Sequence, residues 1–255
     1  MQASSSYLLA IDIGNTRSKA ALFHQGAMVS DGSMETETLE QGIGEYLKHI
    51  DSAVELQIGW VSVAQTIDPN SWNCLTRFSK VELHEIDHRY PLPIGNAYAT
   101  PETLGMDRIV AAIGAKQQVI DDPVLVIDAG TAITYDAVDA ERVYQGGGIA
   151  PGVSMRFRAL NAFTARLPLV QAQLDVPLVG DSTESSIRTG VINGTRMEIS
   201  GTIEAYQGVY GQNLKVFLTG GDSALFENHV KNINFADSKL ILKGIFHILT
   251  HPSHL

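Results

Sequence analysis

A short motif that occurs twice constrains the fold of this 255-residue chain more than any other feature. In each copy an apolar run reaches an aspartate and then, two positions later, a glycine; residues 7–14 hold the first copy and residues 124–130 the second. Such a run is typical of a buried strand that ends in a tight turn. The two aspartates, Asp12 and Asp128, are 116 residues apart, which is a domain-sized spacing. We therefore predict two related α/β halves.

An ungapped alignment of residues 8–22 with residues 124–138 extends the repeat past the motif, because it also pairs Ala21 with Ala137. The length of the chain is sufficient for two domains of ordinary size. We expect domains at 1–118 and 119–255 that face each other across a cleft.

The spacing of apolar residues predicts the main elements. In the second half, residues 124–138 are expected to form a β-hairpin, 146–152 a glycine-rich loop and 154–163 a helix. A helix is also predicted from Asp107, and a long one over residues 185–207.

Composition and charge exclude several classes of protein. The net charge of −10 and the lack of any Lys/Arg block make nucleic acid an unexpected partner. The longest apolar runs fall far short of the roughly 20 residues that cross a bilayer, so no membrane partner is expected. The first ten residues lack a basic region and a cleavage site, which predicts a cytoplasmic protein.

The segment after the first strand offers the chemistry of a phosphate site. A carboxylate, a glycine and then amide, hydroxyl and cationic side chains are the parts of a phosphate cradle with a place for a metal-bound oxygen. An ordinary turn in which Asp12 caps backbone N–H groups is the alternative. The candidate residues are Asp12, Ile13, Gly14, Asn15, Thr16, Arg17, Ser18 and Lys19.

Two further glycine turns favour the phosphate interpretation. Asp128 is followed by Gly130 and Thr131, and Thr219 to Asp222 forms a third turn after a predicted strand. Acid-glycine-hydroxyl turns at equivalent places in two halves are what a nucleotide bound between domains requires. The fingerprints of the P-loop and of dinucleotide-binding sites are absent from the sequence.

A separate segment pairs an acid with a guanidinium just before a predicted helix. Arg108 is suited to a small anionic substrate, and Asp107 to accepting a proton from a substrate hydroxyl. The alternative is a helix that begins with an aspartate beside a surface arginine.

These motifs together resemble the bacterial type III pantothenate kinases, members of the acetate and sugar kinase, Hsp70 and actin superfamily. The resemblance spans nearly the whole chain. The long Leu-Gly-x-Asp-Arg element is its specific part, since the other kinases of the superfamily lack it. The motifs are Asp12-Ile-Gly-Asn-Thr16, Tyr98-x-x-Pro-x-x-Leu-Gly-x-Asp-Arg108, Asp128-x-Gly-Thr-Ala132, Gly147-Gly-x-x-Pro-Gly152 and Thr219-Gly-Gly-Asp222.

The resemblance implies two ribonuclease H-like (actin-like ATPase) domains and transfer of phosphate from ATP with Mg²⁺ to pantothenate, the first step of coenzyme A biosynthesis. It implies Asp107 as catalytic base and a K⁺ or NH₄⁺ ion on Asp128. ATP would be held by Asp12 to Lys19 with Thr131. The pantothenate site would be lined by Tyr98, Gly105, Met106, Asp107, Arg108 and Thr183.

One departure from the family pattern affects the substrate site. Where the family usually has Asn-Thr, this chain reads Gly180-Asp-Ser-Thr-Glu184, so Thr183 is the expected pantothenate-binding hydroxyl and Ser182 the alternative. A non-catalytic, nucleotide-dependent regulator on the same fold is the rival function, and a kinase for another small hydroxy acid is a third.

The resemblance also implies a homodimer. We expect helices in the second half to present more apolar surface than one subunit covers, which is typical of an interface. The residues expected to carry that surface are Ile187, Val191, Ile199 and Ile203.

Overall fold

The computed structural model describes residues 6–63, 68 and 72–251. The strands are β1 (Ser6–Ile13), β2 (Arg17–His24), β3 (Ala27–Glu35), β4 (Glu55–Ser62), β5 (Lys80–Glu85), β6 (Gly95–Asn96), β7 (Val124–Ala129), β8 (Ala132–Val138), β9 (Val143–Pro151), β10 (Lys215–Thr219) and β11 (Phe235–Ala236). The α-helices are α1 (Leu39–Leu47), α2 (Met106–Lys116), α3 (Val153–Ala162), α4 (Thr183–Arg188), α5 (Gly194–Tyr210) and α6 (Leu240–Thr250). No helix among these residues is long and apolar enough to cross a membrane.

The chain divides into two compact units. Unit 1 takes the chain up to Ile94, residues 99–117 and the chain from Leu240, and unit 2 takes residues 95–98 and 118–239. The expected domains, 1–118 and 119–255, differ from this division in three places. The C-terminal helix belongs to unit 1, whereas the short strand β6 and Gln118 belong to unit 2.

Helix α6 belongs to unit 1 because its backbone packs directly on α2. A Cβ atom at Gly114 of α2 would lie 2.1 Å from the carbonyl oxygen of Leu240, and one at Gly244 of α6 would lie 2.0 Å from that of Val110. Only glycine allows two helices to approach this closely. The position of α6 thus depends on contacts far apart in sequence.

Each unit is built on one mixed sheet. The strand order is β3-β2-β1-β4-β5 in unit 1 and β11-β10-β7-β8-β9-β6 in unit 2. In both sheets an antiparallel meander of three strands is extended by parallel strands next to its first strand. When β6 is left out, the order of unit 2 read from β9 to β11 matches the order of unit 1 read from β3 to β5. This match supports two related α/β halves.

The register of the two hairpins corrects one detail of the repeat. Leu9 pairs with Leu22 in unit 1, and its counterpart Leu125 pairs with Ala137 in unit 2. Ala137 is therefore the counterpart of Leu22 and not of Ala21, because the second turn is one residue shorter. The register shift that follows Leu22 in the pairing of β2 with β3 recurs after Ala137 in the pairing of β8 with β9.

The predicted hairpin over 124–138 and the helix over 154–163 are confirmed as β7–β8 and α3. The glycine-rich segment 146–152 is not the predicted loop, because most of it forms the end of β9. A Cβ at Gly147 would lie 1.6 Å from the carbonyl oxygen of Tyr135 on β8, so glycine is required for pairing there. Glycine density marks a close strand approach in this segment and not a turn.

The long helix predicted over residues 185–207 is interrupted. Helix α4 ends at Arg188, a π-helical turn covers Thr189–Asn193, and α5 continues to Tyr210.

The residues expected to face a partner are buried in their own unit. Ile187 and Val191 are 6% and 5% exposed, and Ile199 and Ile203 are 0% and 1% exposed, within the core of unit 2. They pack against the strands of the unit 2 sheet, so their apolar character is explained without an interface.

Candidate active site

In unit 1 the first predicted phosphate site is the turn between β1 and β2. Asp12 is half-buried near the end of β1, and its backbone pairs in register with Lys19 of β2. A Cβ at Gly14 would lie 2.5 Å from the carbonyl oxygen of Arg17, so the turn closes only over a glycine. Asn15 is exposed in this turn.

Thr36, just after β3, fixes the shape of this turn. Its Oγ1 donates to the carbonyl oxygen of Gly14 at 2.9 Å, and its backbone N–H donates to that of Thr16 at 2.9 Å. The same hydroxyl lies 2.9 Å from the Oγ of Ser18, which is fully buried. Sequence reasoning missed Thr36, because only the pairing of β2 with β3 brings it to the turn.

Three of the candidate residues in this turn have structural neighbours that the motif does not indicate. Ile13 is fully buried in the core of unit 1. The Ser18 hydroxyl is occupied by Thr36, and the Arg17 guanidinium forms an ion pair with Glu35 and donates to Ser33 Oγ at 2.8 Å.

In unit 2 the second predicted site is the turn between β7 and β8. Asp128 Oδ1 lies between two glycines: a Cβ would stand 3.1 Å from it at Gly130 and 2.5 Å from it at Gly220. Gly220 has a φ of +96°, and its Cβ would also lie 2.4 Å from the backbone of Ala129. The carboxylate of Asp128 is therefore packed against bare backbone on two sides.

The end of β9 packs against the same turn. A Cβ at Gly152 would lie 2.3 Å from the carbonyl oxygen of Thr131 and 2.4 Å from that of Gly130. Thr131 itself is exposed, so its side chain faces solvent at the surface of unit 2.

The third glycine turn adds a carboxylate to this edge of unit 2. The backbone N–H of Asp222 donates to the carbonyl oxygen of Ala129 at 2.9 Å, which joins the turn after β10 to the end of β7. Burial raises the pKa of Asp222 above its ordinary value. Sequence analysis quoted Asp222 within a motif but gave it no role.

The Leu-Gly-x-Asp-Arg element forms the start of α2 in unit 1. Gly105 is the residue before the helix, and a Cβ there would lie 2.6 Å from Asp107 Oδ1, so the carboxylate folds back over it. Met106 is the first helical residue and is partly buried. Arg108 follows in the same turn and is only 8% exposed. The alternative interpretation, a surface arginine, is therefore wrong.

Tyr98 lies in unit 2, whereas Gly105 to Arg108 lie in unit 1. Its backbone N–H donates to Asn96 Oδ1 at 2.9 Å, and its ring covers Gly146, where a Cβ would stand 2.9 Å from Tyr98 Cδ2. Gly146 has a φ of +85°, a backbone conformation that favours glycine, and a side chain there would also clash with the Tyr98 ring. The ring of Tyr144 lies beside it, with 6.2 Å between centroids.

The two candidate hydroxyls for the substrate differ in their surroundings. Ser182 precedes α4 and forms a capping box, in which its Oγ accepts from Ser185 N–H and Ser185 Oγ accepts from Ser182 N–H. Thr183 is the first residue of α4 and is exposed. Both line a cavity of about 610 Å³ in unit 2, together with Leu160, Leu167, Gly180, Asp181, Ser186, Ile187 and Gly190.

Comparison with protein families identifies the chain. The family model of type III pantothenate kinases matches residues 8–205, a range that includes the turns after β1 and β7 and the α2 element described above. The chain belongs to the type III pantothenate kinase family.

Two relatives that carry the name type III pantothenate kinase are similar over nearly their full length. The protein from Phocaeicola vulgatus is 42% identical over 247 residues, with 97% of this chain and 99% of the relative covered. A protein from Bacteroides fragilis is 43% identical over 248 residues, with 95% and 97% covered.

Solved structures that are similar to this type III pantothenate kinase support the fold alone. A Campylobacter jejuni protein described as a Baf family transcriptional activator superposes with a TM-score of 0.60 at 21% identity, covering 97% of this chain and 100% of the other. A glucokinase from an Antarctic psychrotroph gives 0.51 at 12% identity, covering 98% and 99%. The predicted actin-like ATPase fold class is confirmed.

Family membership also establishes the class of reaction. Type III pantothenate kinases phosphorylate pantothenate with ATP, the first step of coenzyme A biosynthesis, and this chain is a kinase of that class. The rival interpretation as a non-catalytic regulator gains no support from these relatives.

Proposed function

We propose that this kinase transfers the γ-phosphate of ATP in line to the primary hydroxyl of pantothenate, with Asp107 as the catalytic base. The observation that carries this assignment is the position of Asp107 in the first turn of α2, in a Leu-Gly-x-Asp-Arg element that lies within the residues matched by the family model. The positive end of the helix dipole favours an ionised carboxylate there, which is the form that accepts a proton.

Arg108 anchors the carboxylate of pantothenate. A cation in the first turn of a helix is disfavoured by the helix dipole, so its burial there is consistent with recognition of an anion. A guanidinium also holds a carboxylate in a defined orientation, which positions the hydroxyl for transfer. Gly105 and Met106 complete the part of the substrate site that unit 1 provides, and Tyr98 is a residue that unit 2 provides for pantothenate.

Thr183 supplies the further substrate-binding hydroxyl. Ser182 is committed to the capping box of α4, and its release would cost about 1 kcal/mol of helix stability. The exposed Thr183 hydroxyl carries no such structural duty in the cap and lines the same cavity.

Each unit offers one Asp-Gly turn with groups that bind phosphate. In the first turn Asp12, Gly14, Asn15, Thr16 and Lys19 provide the contacts, while Ile13, Arg17 and Ser18 support the turn from the core and from β3. In the second turn Thr131 provides a hydroxyl.

The donor set suits Mg²⁺ and a monovalent cation. Mg²⁺ on ATP requires few protein ligands, and Asp12 offers one carboxylate for it or its bound water. No group of three or more His, Cys, Asp or Glu side chains is placed to hold a metal among the described residues. K⁺ or NH₄⁺ needs only Asp128 with neighbouring carbonyl oxygens, and the glycines around Asp128 leave backbone oxygens close to it.

In the reaction Asp107 orients the substrate hydroxyl and accepts its proton as the oxygen attacks the γ-phosphorus. Mg²⁺, when bound with ATP, neutralises charge on the phosphates. Lys19 and the N–H groups of the first turn stabilise the charge that shifts toward the β-phosphate. Positioning supplies most of the acceleration.

The protein acts as a homodimer formed by unit 2. The supporting observation is a set of apolar side chains that unit 2 leaves exposed, from 38% for Met155 to 88% for Phe163. They are Met155, Phe163, Leu169, Leu174, Leu178, Val179, Met197 and Val209. A cytoplasmic location stays a prediction.

A coupled assay of ADP release tests the function directly. With pantothenate and a panel of small hydroxy acids, we expect turnover only with pantothenate. The Asp107→Asn variant should fold, bind both substrates and lose roughly 10²- to 10⁴-fold in kcat, as expected for a positioned general base. ATP binding without turnover in the unmutated protein would contradict the proposal, and kcat within a few-fold in Asp107→Asn would remove Asp107 from the base role.

A further inference from the structure

A carboxylate on α5 links β8, the strand that follows the second phosphate turn, to an arginine on α3. Glu198 Oε1 accepts a hydrogen bond from Tyr135 Oη on β8 at 3.2 Å. Both oxygens of Glu198 also accept from Arg156 Nη2 on α3, at 3.0 and 2.8 Å. Tyr135 is only 5% exposed, and burial with Glu198 nearby raises its pKa above the ordinary value, so it stays a donor at neutral pH.

The arginine of this network holds the end of β9. Arg156 Nε donates to the carbonyl oxygen of Pro151 at 2.8 Å, and the next residue is Gly152. Gly152 packs against the carbonyl oxygens of Gly130 and Thr131, as described above. Pro151 also pairs in register with Ala132, the residue after the turn.

We infer that Arg156, Glu198 and Tyr135 position the Gly130–Thr131 turn for nucleotide binding. Glu198 holds β8 through Tyr135 and β9 through Arg156, so one carboxylate fixes both strands beside the turn. Charge-assisted hydrogen bonds are stronger than neutral ones, and this pair is largely shielded, with side chains 21% and 35% exposed. None of the three touches ATP; each acts through the backbone of the turn.

The inference rests on the proposed role of this turn in holding ATP. A less rigid turn should weaken ATP binding without changing pantothenate binding. Loss of the network should therefore raise KM for ATP and leave KM for pantothenate unchanged. A merely structural ion pair would lower stability without this split.

Arg156→Lys is the main test, because lysine keeps the charge but cannot bond Pro151 and Glu198 together. We expect KM for ATP, and the Kd of a non-hydrolysable ATP analogue from calorimetry, to rise about tenfold, the size of one lost charge-assisted hydrogen bond. KM for pantothenate should stay within twofold. Tyr135→Phe, which keeps the packing and removes the bond to Glu198, should raise KM for ATP by about threefold.

Asp122→Asn is the matched control. Asp122 forms an ion pair with Lys215 at 3.4 Å, and its side chain is 31% exposed in the same unit. It lies before β7, at the end of the sheet opposite Asp128. This variant should lose stability comparable to that lost by Arg156→Lys, with KM for ATP unchanged.

Thr131→Ala separates this inference from the proposed site. If Thr131→Ala raises KM for ATP and Arg156→Lys and Tyr135→Phe do not, the site stands and the positioning network is overturned. If Arg156→Lys raises KM for ATP and Thr131→Ala does not, the result supports the network and contradicts the proposed contact between the Thr131 hydroxyl and ATP. Equal effects of Arg156→Lys and Asp122→Asn on KM for ATP would also overturn the inference.

Discussion

The two Asp-Gly turns have the same place in two sheets of the same order but depend on different contacts. Thr36 makes most of the hydrogen bonds that hold the turn after β1, and Gly14 makes one close backbone contact there. At the turn after β7, Gly152 and Gly220 both pack against the backbone where no side chain fits, in addition to backbone hydrogen bonds from Gly130 and Asp222. A lost hydrogen bond usually costs less free energy than a side chain forced against backbone. Loss of the Thr36 hydroxyl should therefore weaken the first turn less than a side chain at Gly220 weakens the second.

The largest expected difference between the turns is in their cations. Asp128→Asn should abolish activation by K⁺ and leave the low rate of a Na⁺ buffer, about 10²-fold below the unmutated enzyme in K⁺. Asp12→Asn should keep the K⁺ response and instead raise the Mg²⁺ concentration needed for half activity. ADP release measured across KCl and MgCl₂ titrations tests both.

Equal rates of the unmutated enzyme in KCl, NaCl and Tris would remove Asp128 from the cation site. A K⁺ response that persists in Asp128→Asn and disappears in Asp12→Asn would reverse the assignment of the two turns.

The second expected effect is on stability at the second turn. Gly220→Ala places a Cβ 2.4 Å from the Ala129 backbone at a φ of +96°, so both clash and backbone strain act. We expect the free energy of unfolding in urea to fall by about 3 kcal/mol or more.

The neighbouring Gly221→Ala is the control, because no described heavy atom lies within 4 Å of a Cβ built there. It should change the free energy of unfolding by less than about 0.5 kcal/mol. Similar losses in the two variants would show that the second turn is not held by close backbone contact.

The contrast also explains how much of the molecule could be predicted. The β7–β8 hairpin and α3 follow from local apolar spacing, and the acid-glycine motifs indicate where both turns lie. The strand conformation of residues 146–151 does not follow from local spacing, because glycine has no intrinsic strand preference. It depends on the close fit of Gly147 against Tyr135 of β8. Contacts between distant segments override local preference there.

Site residues divide in the same way. Asp12, Asp107 and Asp128 could be proposed from the sequence because their motifs are local. Thr36 and Glu198 were missed, because each reaches its turn from an element distant in sequence and neither belongs to a motif. The sequence could not show whether Ile199 is buried in the core of its own unit or in an interface, because both arrangements give a helix with one apolar face.

The third expected effect is at Thr36. Thr36→Val removes the hydroxyl that bonds Gly14 and buried Ser18 while keeping the side chain's shape. The free energy of unfolding in urea should fall by about 2 kcal/mol, and KM for ATP should rise by about threefold as the turn loosens.

Thr38→Val is the control for this variant, because the exposed Thr38 hydroxyl bonds only the Glu35 carbonyl in the described structure, at 3.3 Å. It should change both quantities little. An unchanged free energy of unfolding in Thr36→Val would contradict closure of the first turn by hydrogen bonds.

The smallest expected effect is at Arg17, a candidate phosphate-binding residue whose side chain pairs with β3. Its guanidinium contacts Glu35 and Ser33 on β3, and the side chains of the ion pair are 57% and 56% exposed. Exposed pairs contribute little, so Arg17→Ala should lower the free energy of unfolding by less than about 0.5 kcal/mol. KM for ATP should stay within twofold, because Glu35 already neutralises the charge of the Arg17 guanidinium.

Glu35→Gln tests that explanation, because it frees the Arg17 guanidinium to contact the phosphates. This variant should lower KM for ATP at low salt, and the decrease should be lost at 0.5 M NaCl. A rise in KM of more than about fivefold in Arg17→Ala would return Arg17 to the nucleotide site and make the first turn more dependent on charge than on Thr36.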